Sequence, residues 1–493
     1  MMDYNSIFGV SLSDYAEGSV FSGEGSASEL AELQKAMEAG DITGMQTLGR
    51  TDVPGATLKV EDLESTLKVL TFKESDIKLW KMISKLPAYN TVEEYNQQVE
   101  YGTEGFSFVD EGALPEDDSP VYRRQAQLVK FLGTTRSVSH PMQLVSTMVG
   151  NLIETEIKNG TMKLLRDADR ALWSADSSVI PQNFNGFRKQ QIDAMGGETT
   201  WLDSSCVIDL RGGDLTETIF ENGALSILQA NGEANLFMCP PAVISAFKKI
   251  LLDQKKIYVG STDQNVNPTS GLQVQKYLSQ FGFVDLDFDK FLSETTTFKT
   301  LTSAASSSKA PTKPTADITN PSKMATDTGN TLFADDQAGS YKYAVSAISR
   351  AGESQLTDLS SSAAVAVTTG QSVDLKFTAG DSNTVGYKIY RTKKDATDKY
   401  YCIATISASQ LAAGVNGAGA GSFRDKNTKI AGTEEAFLID NSLDVWAFKQ
   451  LAPLMKMDLA VLSPATRFMI LLYGTPILYA PQKMVTFKNI KID

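Results

Sequence analysis

His140 is the only histidine in 493 residues, and it stands beside Pro141 at the start of an expected helix. Serine triads, multi-histidine metal centres and cysteine–histidine pairs all need a positioned imidazole. A single ring at a helix start reads instead as structural or solvent-facing. The three cysteines, Cys206, Cys239 and Cys402, have no pair spacing and read as buried thiols of a reducing compartment. No phosphate-binding glycine loop and no dinucleotide fingerprint occurs. Carboxylates are plentiful, yet none form a local catalytic constellation. The expectation is a chain that is not an enzyme, with no catalytic residue, cofactor or metal site. The chemistry left is association. Between Thr91 and Asp118 stand nine acids and no Lys or Arg, with Arg123 and Arg124 following. Glu111, Asp117 and Asp118 are therefore candidate contacts to Arg123 or Arg124 of a neighbouring copy, because opposite charge orients such encounters. The alternative is a solvated acidic loop.

Two strand-like runs, Glu94–Val99 and Tyr122–Leu132, flank this acidic tip, whose Gly and Pro residues break regular structure. They predict a long hairpin, and an isolated hairpin is marginal in water, so it must lean on something. A helix is predicted next, from Met142 to Ala175, with Ser139 as candidate cap and Pro141 in its first turn. Val145, Met148, Leu152, Ile157, Leu164, Ala168 and Leu172 recur at helical spacing, giving a rod of roughly 50 Å. Glu154, Glu156, Lys158, Lys163, Arg166, Asp167 and Asp169 are expected to keep its outer face wet. Gly160 costs about 1 kcal/mol relative to Ala in mid-helix and is a candidate bend.

The N-terminal stretch to Gly49 is rich in Gly, Ser and acids, with a helical patch at Ala27–Ala39; it reads as a tail or as an arm ordered against neighbours. It has no basic start followed by an apolar core, so no secretory signal is expected. Beyond the long helix, Trp201–Asp209, Asn235–Met238 and Phe283–Phe291 read as strands. Thr216–Gln229 and Pro241–Asp253 read as helices. Ser303–Pro321 is a Ser/Ala/Thr/Pro linker. Short strands at Tyr341–Ser349, Ala363–Val367, Val373–Phe377, Gly386–Arg391 and Tyr400–Ile406 then predict a small β-sandwich inserted into a host domain. The longest apolar run, Phe468–Ala480, is broken by Gly474 and Pro476 and is too short to span a bilayer as a helix. A net charge of −13 disfavours gripping nucleic acid.

This order of parts, ending in SPATRFMILLYGTPILYAPQKMVTFKNIKI (Ser463–Ile492), resembles the major capsid proteins of tailed bacteriophages. The resemblance implies an α+β Hong Kong 97-type fold. Residues 1–57 would be an N-terminal arm, 89–136 an extended loop, and 58–88 with 137–200 a peripheral domain. An axial domain would span 200–302, and 437–493 would complete the axial and peripheral domains. The insert at 303–436 resembles a fibronectin type III or immunoglobulin-like domain through YKYAVSAISRAGES (Tyr341–Ser354), GYKIYRT (Gly386–Thr392) and FRD (Phe423–Asp425), although its strand order differs from the usual one. The implied function is self-assembly, as hexamers and pentamers, into an icosahedral head around double-stranded DNA. Portal, scaffold and decoration proteins are implied partners and no membrane is. The implied location is the virion, after assembly in the host cytoplasm. The alternatives are an encapsulin-like shell around protein cargo and an adhesin carrying a fibronectin-like domain. Some capsids of this fold link a loop Lys to a neighbour's Asn. No Lys lies between Leu86 and Val129, so a non-covalent shell is expected.

Overall fold

The computed structural model describes residues 71–492 except 103–107, 115–116, 145–150, 197–205, 255–275, 294–297, 318–321, 324–326, 328–330, 361–363, 379 and 462. The expected arm (1–57) lies outside the described residues. So do residues 58–70 of the expected peripheral domain and the start of the strand expected at Trp201.

Two sheets carry the host. A four-stranded sheet places Lys85–Pro87 beside Trp446–Asp458, then Ala465–Leu478, then Lys130–Ser139. Ala465–Leu478 pairs antiparallel on both sides over ten positions each. Phe468, Ile470 and Leu472 alternate inward, the period-2 signature of a sheet with one buried face. The six-stranded sheet runs Val207–Asp209, Met484–Ile490, Glu434–Ile439, Leu236–Cys239, Gly282–Phe288, Lys276–Ser279. Its central strands are buried almost throughout. Helices Glu217–Gln229, capped by Thr216, and Pro241–Gln254 accompany it, with Phe220 and Phe247 packed on Phe237.

The long helix is shorter than expected, spanning Leu152–Ser174. Asn151 is extended and caps it, its side-chain oxygen accepting the Ile153 N–H at 3.1 Å. Asn competes well for that cap. His140–Leu144 is a separate short helix. Leu164, Ala168, Leu172 and Trp173 pack into the core with Phe448, Phe468 and Ile470, and Trp173 stacks on Phe437 at 4.4 Å. Asp169 departs from the wet-face expectation, being 1% exposed. At about 100° per residue it falls between Leu172 and Trp173, inside the apolar arc.

The hairpin also ends sooner than its second strand was expected to. Val92–Glu100 pairs with Val121–Leu128, and the Val129 N–H closes the base on Thr91 O at 2.9 Å. Val129 is buried, and Lys130–Ser139 departs into the four-stranded sheet.

The inserted module has a core of its own, from Phe333 to Ala431. Tyr343–Ser349, Gly386–Thr392 and Tyr400–Ser407 pair antiparallel in one sheet. Val373–Thr378 pairs with Ser422–Asp425 in another. Glu434 already pairs with Ile490 of the host, so the module closes before the expected 436. The expected free linker is tied along the module: Ser306 N–H donates to Glu353 O at 2.9 Å, and Ser306 Oγ accepts from Glu353 N–H at 2.6 Å. Short hydroxyl side chains satisfy backbone groups that a bare linker would leave to water.

Candidate intersubunit surface

The hairpin forms because Val92, Tyr95, Val99, Val121 and Tyr122 favour a pleated backbone, and its register sets which side chains can meet. Asn96 faces Arg124 and Gln97 faces Arg123. Alternation sends Glu93, Tyr95, Gln97 and Arg123 to one face, which is half-buried, and Glu94, Asn96 and Arg124 to the exposed one. The half-buried face leans on the host. Tyr95 meets Tyr479 edge-on at 5.2 Å, Gln97 Nε2 donates to Tyr479 O, and Lys449 stands 3.9 Å from Glu93. Burial, reinforced by Tyr479, pushes the Tyr95 phenol up to about 12.

Arg123 and Arg124 therefore cannot address one neighbouring surface together, since successive strand residues point oppositely. Arg124 is already engaged, its Nη1 at 3.3 Å from Glu94 Oε2 and its Nε at 3.4 Å from Asn96 Oδ1. Both partners are exposed, so the pair contributes well under about 1 kcal/mol. The acids stand apart from both arginines in register, beyond the strand end at Val121. Ala113 N–H donates to Asp110 O at 2.9 Å and Gly112 has φ +85°, a turn whose third position needs the left-handed region. Glu111 thereby occupies the corner of the tip, exposed like Asp117. Asp118 is fixed differently: its Oδ1 accepts the Ser119 N–H at 2.9 Å, and its carboxylate lies against Gly102, where a Cβ would collide with it. Phe108 and Leu114 are 91% and 92% exposed at the same tip.

The remaining candidates sit away from any reactive arrangement. His140 is exposed and its backbone N–H donates to Pro464 O at 2.9 Å. The three cysteines are free and buried. Burial pushes the Cys239 thiol far up, with the Asp287 charge adding, which suppresses thiolate chemistry. Among the described residues no group of three or more His, Cys, Asp or Glu could hold a metal, and no helix is long and apolar enough to cross a membrane. Gly160 is buried where the long helix crosses the sheet; a Cβ there would lie 2.7 Å from Ile470 Cδ1.

One constellation escaped the sequence reading. Asp169 Oδ1 accepts the Trp80 N–H at 2.5 Å, and Asp289 accepts the N–H groups of Leu79 and Phe291 at 3.1 and 2.8 Å. The two carboxyls are buried against each other. Burial first, then the hydrogen bond and charge of Asp289, push Asp169 up to about 9. The pair holds one proton, since two bare carboxylates cannot share a dry site. The signal was there in helical phase: Asp169 three residues before Leu172.

The family model described as SU10 major capsid protein matches residues 42–336, which is 295 of the 493 residues. The putative major capsid protein of Enterococcus phage phiEF24C is 24% identical over 476 residues, covering 94% of this chain and 96% of its own length. The major capsid protein of Staphylococcus phage K is 25% identical over 462 residues, covering 91% and 93%. Among solved structures, the capsid of a native GTA particle aligns at 10% identity over 88% of this chain and 97% of its own, with a TM-score of 0.44. A structure from Mycobacterium phage Adephagia aligns at 8% identity over 90% and 98%, with a TM-score of 0.43.

Proposed function

The chain belongs to the SU10 major capsid protein family, and from that membership we infer that many copies close into the icosahedral head of a tailed phage around double-stranded DNA. The α+β Hong Kong 97-type class expected from the order of parts holds for it. The family match over more than half the chain carries the reading. The exposed tip supports it, because bare aromatic and aliphatic side chains at the end of a projecting arm are what a neighbour covers. Association is then the work. The hairpin loses freedom on docking, and burial of apolar surface at about 25 cal/mol per Å² offsets that cost. The net charge of −13 suits a container that does not grip its genome.

Hexamers and pentamers are the assembly units of this reading, with portal, scaffold and decoration proteins as further partners. Assembly takes place in the host cytoplasm, and the product resides in the virion. Glu111, Asp117 and Asp118 supply the acidic half of the contact between copies. The inserted β module, an immunoglobulin- or fibronectin-like sandwich in this reading, stands on the outer surface, where it displaces no genome. Electron microscopy of purified particles tests the proposal. Closed icosahedral shells filled with DNA are expected. Shells filled with protein would favour an encapsulin-like container, and monomers or fibres would end the shell reading.

A further inference from the structure

A cavity of about 540 Å³ opens between the C-terminal half of the long helix and the inserted module. Cavities of about 300–1,000 Å³ are the size that encloses small organic ligands. Its floor is aliphatic, with Ile180, Ile192, Ile348 and Ile403 in the lining and no aromatic ring beside them among the described residues. Five cations and two acids complete the wall, an unusual balance in a chain of net charge −13. Both acids are engaged. Asp167 takes the Arg166 guanidinium at 2.7 Å, and Asp176 accepts the Ser178 N–H and hydroxyl at 2.7 and 2.6 Å. Three of the cations have carboxylate partners: Arg188 with Glu435 at 3.0 Å, Lys189 with Asp193 at 2.6 Å and Lys388 with Glu353 at 3.8 Å. Arg170, from the helix, and Lys429, from the module, have no carboxylate partner among the described residues. Arg188 Nε is buried and has no hydrogen-bond partner among them either, which is costly for a donor until an acceptor meets it. The positive field is felt behind the wall, where burial and then the charges of Arg188 and Lys429 push the Lys488 ammonium down despite Glu435 and Asp209.

Each feature narrows the ligand. Cations without facing acids call for an oxyanion, and branched aliphatic walls call for a saturated chain. Nucleotides are disfavoured, because their bases seek aromatic rings to stack on. We propose that the cavity binds a single-chain amphipathic carboxylate of the fatty-acid class. Its head lies between Arg170 and Lys429 and accepts from Arg188 Nε, while its chain covers the four isoleucines. Since Arg170 belongs to the helix and Lys429 to the module, the bound anion ties the module to the host body. The inference concerns this cavity alone and holds whether or not copies close into a shell.

Isothermal titration of the purified chain with sodium decanoate, kept below its micelle concentration, tests the site. Saturable binding of about one decanoate per chain is expected. It should raise the melting temperature and weaken with salt. Nonanoate and octanoate should bind about fourfold more weakly for each methylene removed. Decyltrimethylammonium, with the same chain on a cationic head, should not bind. Arg170→Gln with Lys429→Gln should weaken decanoate roughly tenfold or more, the scale of one lost hydrogen bond to a charged group. Arg170 is exposed and Lys429 half-buried, so both glutamines leave the core intact. Arg170→Lys with Lys429→Arg keeps both charges and should retain binding, which separates loss of charge from loss of fold. Equal decanoate binding by wild type and the glutamine pair overturns the proposal. So does binding of the cationic amphiphile, binding independent of chain length, or displacement of decanoate by adenosine triphosphate.

Discussion

Asp169 and Asp289 join three segments that lie far apart in the chain: the long helix, the end of strand Gly282–Phe288, and the start of the short helix Leu79–Met82. The folded protein holds the Asp169 proton to about pH 9, whereas the unfolded chain releases it near the ordinary carboxylate value of about 4. Between those limits the native state binds more protons, so stability falls as pH rises and levels off above about 9. Asp169→Asn keeps an acceptor for Trp80 and offers Asp289 a permanent donor. Its melting temperature should decline less between pH 4 and 9 than that of the wild type; parallel declines in calorimetry would show the pair does not titrate there. Gly160 invites a second substitution. An alanine gains about 1 kcal/mol of helix propensity but meets Ile470 Cδ1, the far end of a flexible side chain. Gly160→Ala should therefore shift the melting temperature little, while Gly160→Leu, with no room between helix and sheet, should prevent folding. A strongly destabilised alanine variant would mean that Ile470 cannot turn aside.

At the scale of elements, what was legible followed periodicity and what was missed followed tertiary partners. The module strands Val373–Thr378 and Gly386–Thr392 lie within a residue of their expected bounds, because alternation and turn residues are local. The second hairpin strand was read four residues too far, since only Thr91 and Ala465–Leu478 tell Val121–Leu128 from Lys130–Ser139. The acidic tip was visible in composition, whereas the pairing of Arg124 with Glu94 needed the register. The cavity of about 540 Å³ between the long helix and the inserted module could not be read at all, being assembled from residues 167 to 429. Inside the module, Arg391 is buried and donates to Asp425 at 2.5 Å and Asn427 at 2.6 Å, with the rings of Tyr341 and Phe333 over its guanidinium. Tyr343 Oη donates to the same carboxylate at 3.0 Å. Asp425→Ala strands a buried cation and should cost about 3–5 kcal/mol. Limited proteolysis should then cut first between Phe333 and Ala431; cleavage elsewhere would place the weak point outside the module.

For the whole molecule the question is how copies hold together in a shell. A covalent solution needs an amine positioned on the projecting loop, and the hairpin provides none between Leu86 and Val129. The lysines nearest its base are spoken for: Lys130 Nζ donates to Pro181 O at 2.7 Å, and Lys85 Nζ to Trp80 O. Burial also pushes the Lys85 ammonium down despite Asp169, yet that side chain lies at the foot of the hairpin, far in sequence from the tip that would meet a neighbour. The remaining means are charge and apolar cover, both spread over many contacts. Individually weak contacts become strong when a closed shell engages them together, since each subunit must leave several neighbours at once. Denatured particles should therefore run as a single band near 53.5 kDa. A ladder of multimers surviving reductant would show that a bond forms elsewhere on the chain. If Glu111 and Asp117 make the proposed contacts, intact particles should also loosen as salt is raised, because such contacts are screened over about 10 Å at 0.1 M, and light scattering at increasing ionic strength would register the loss of large species.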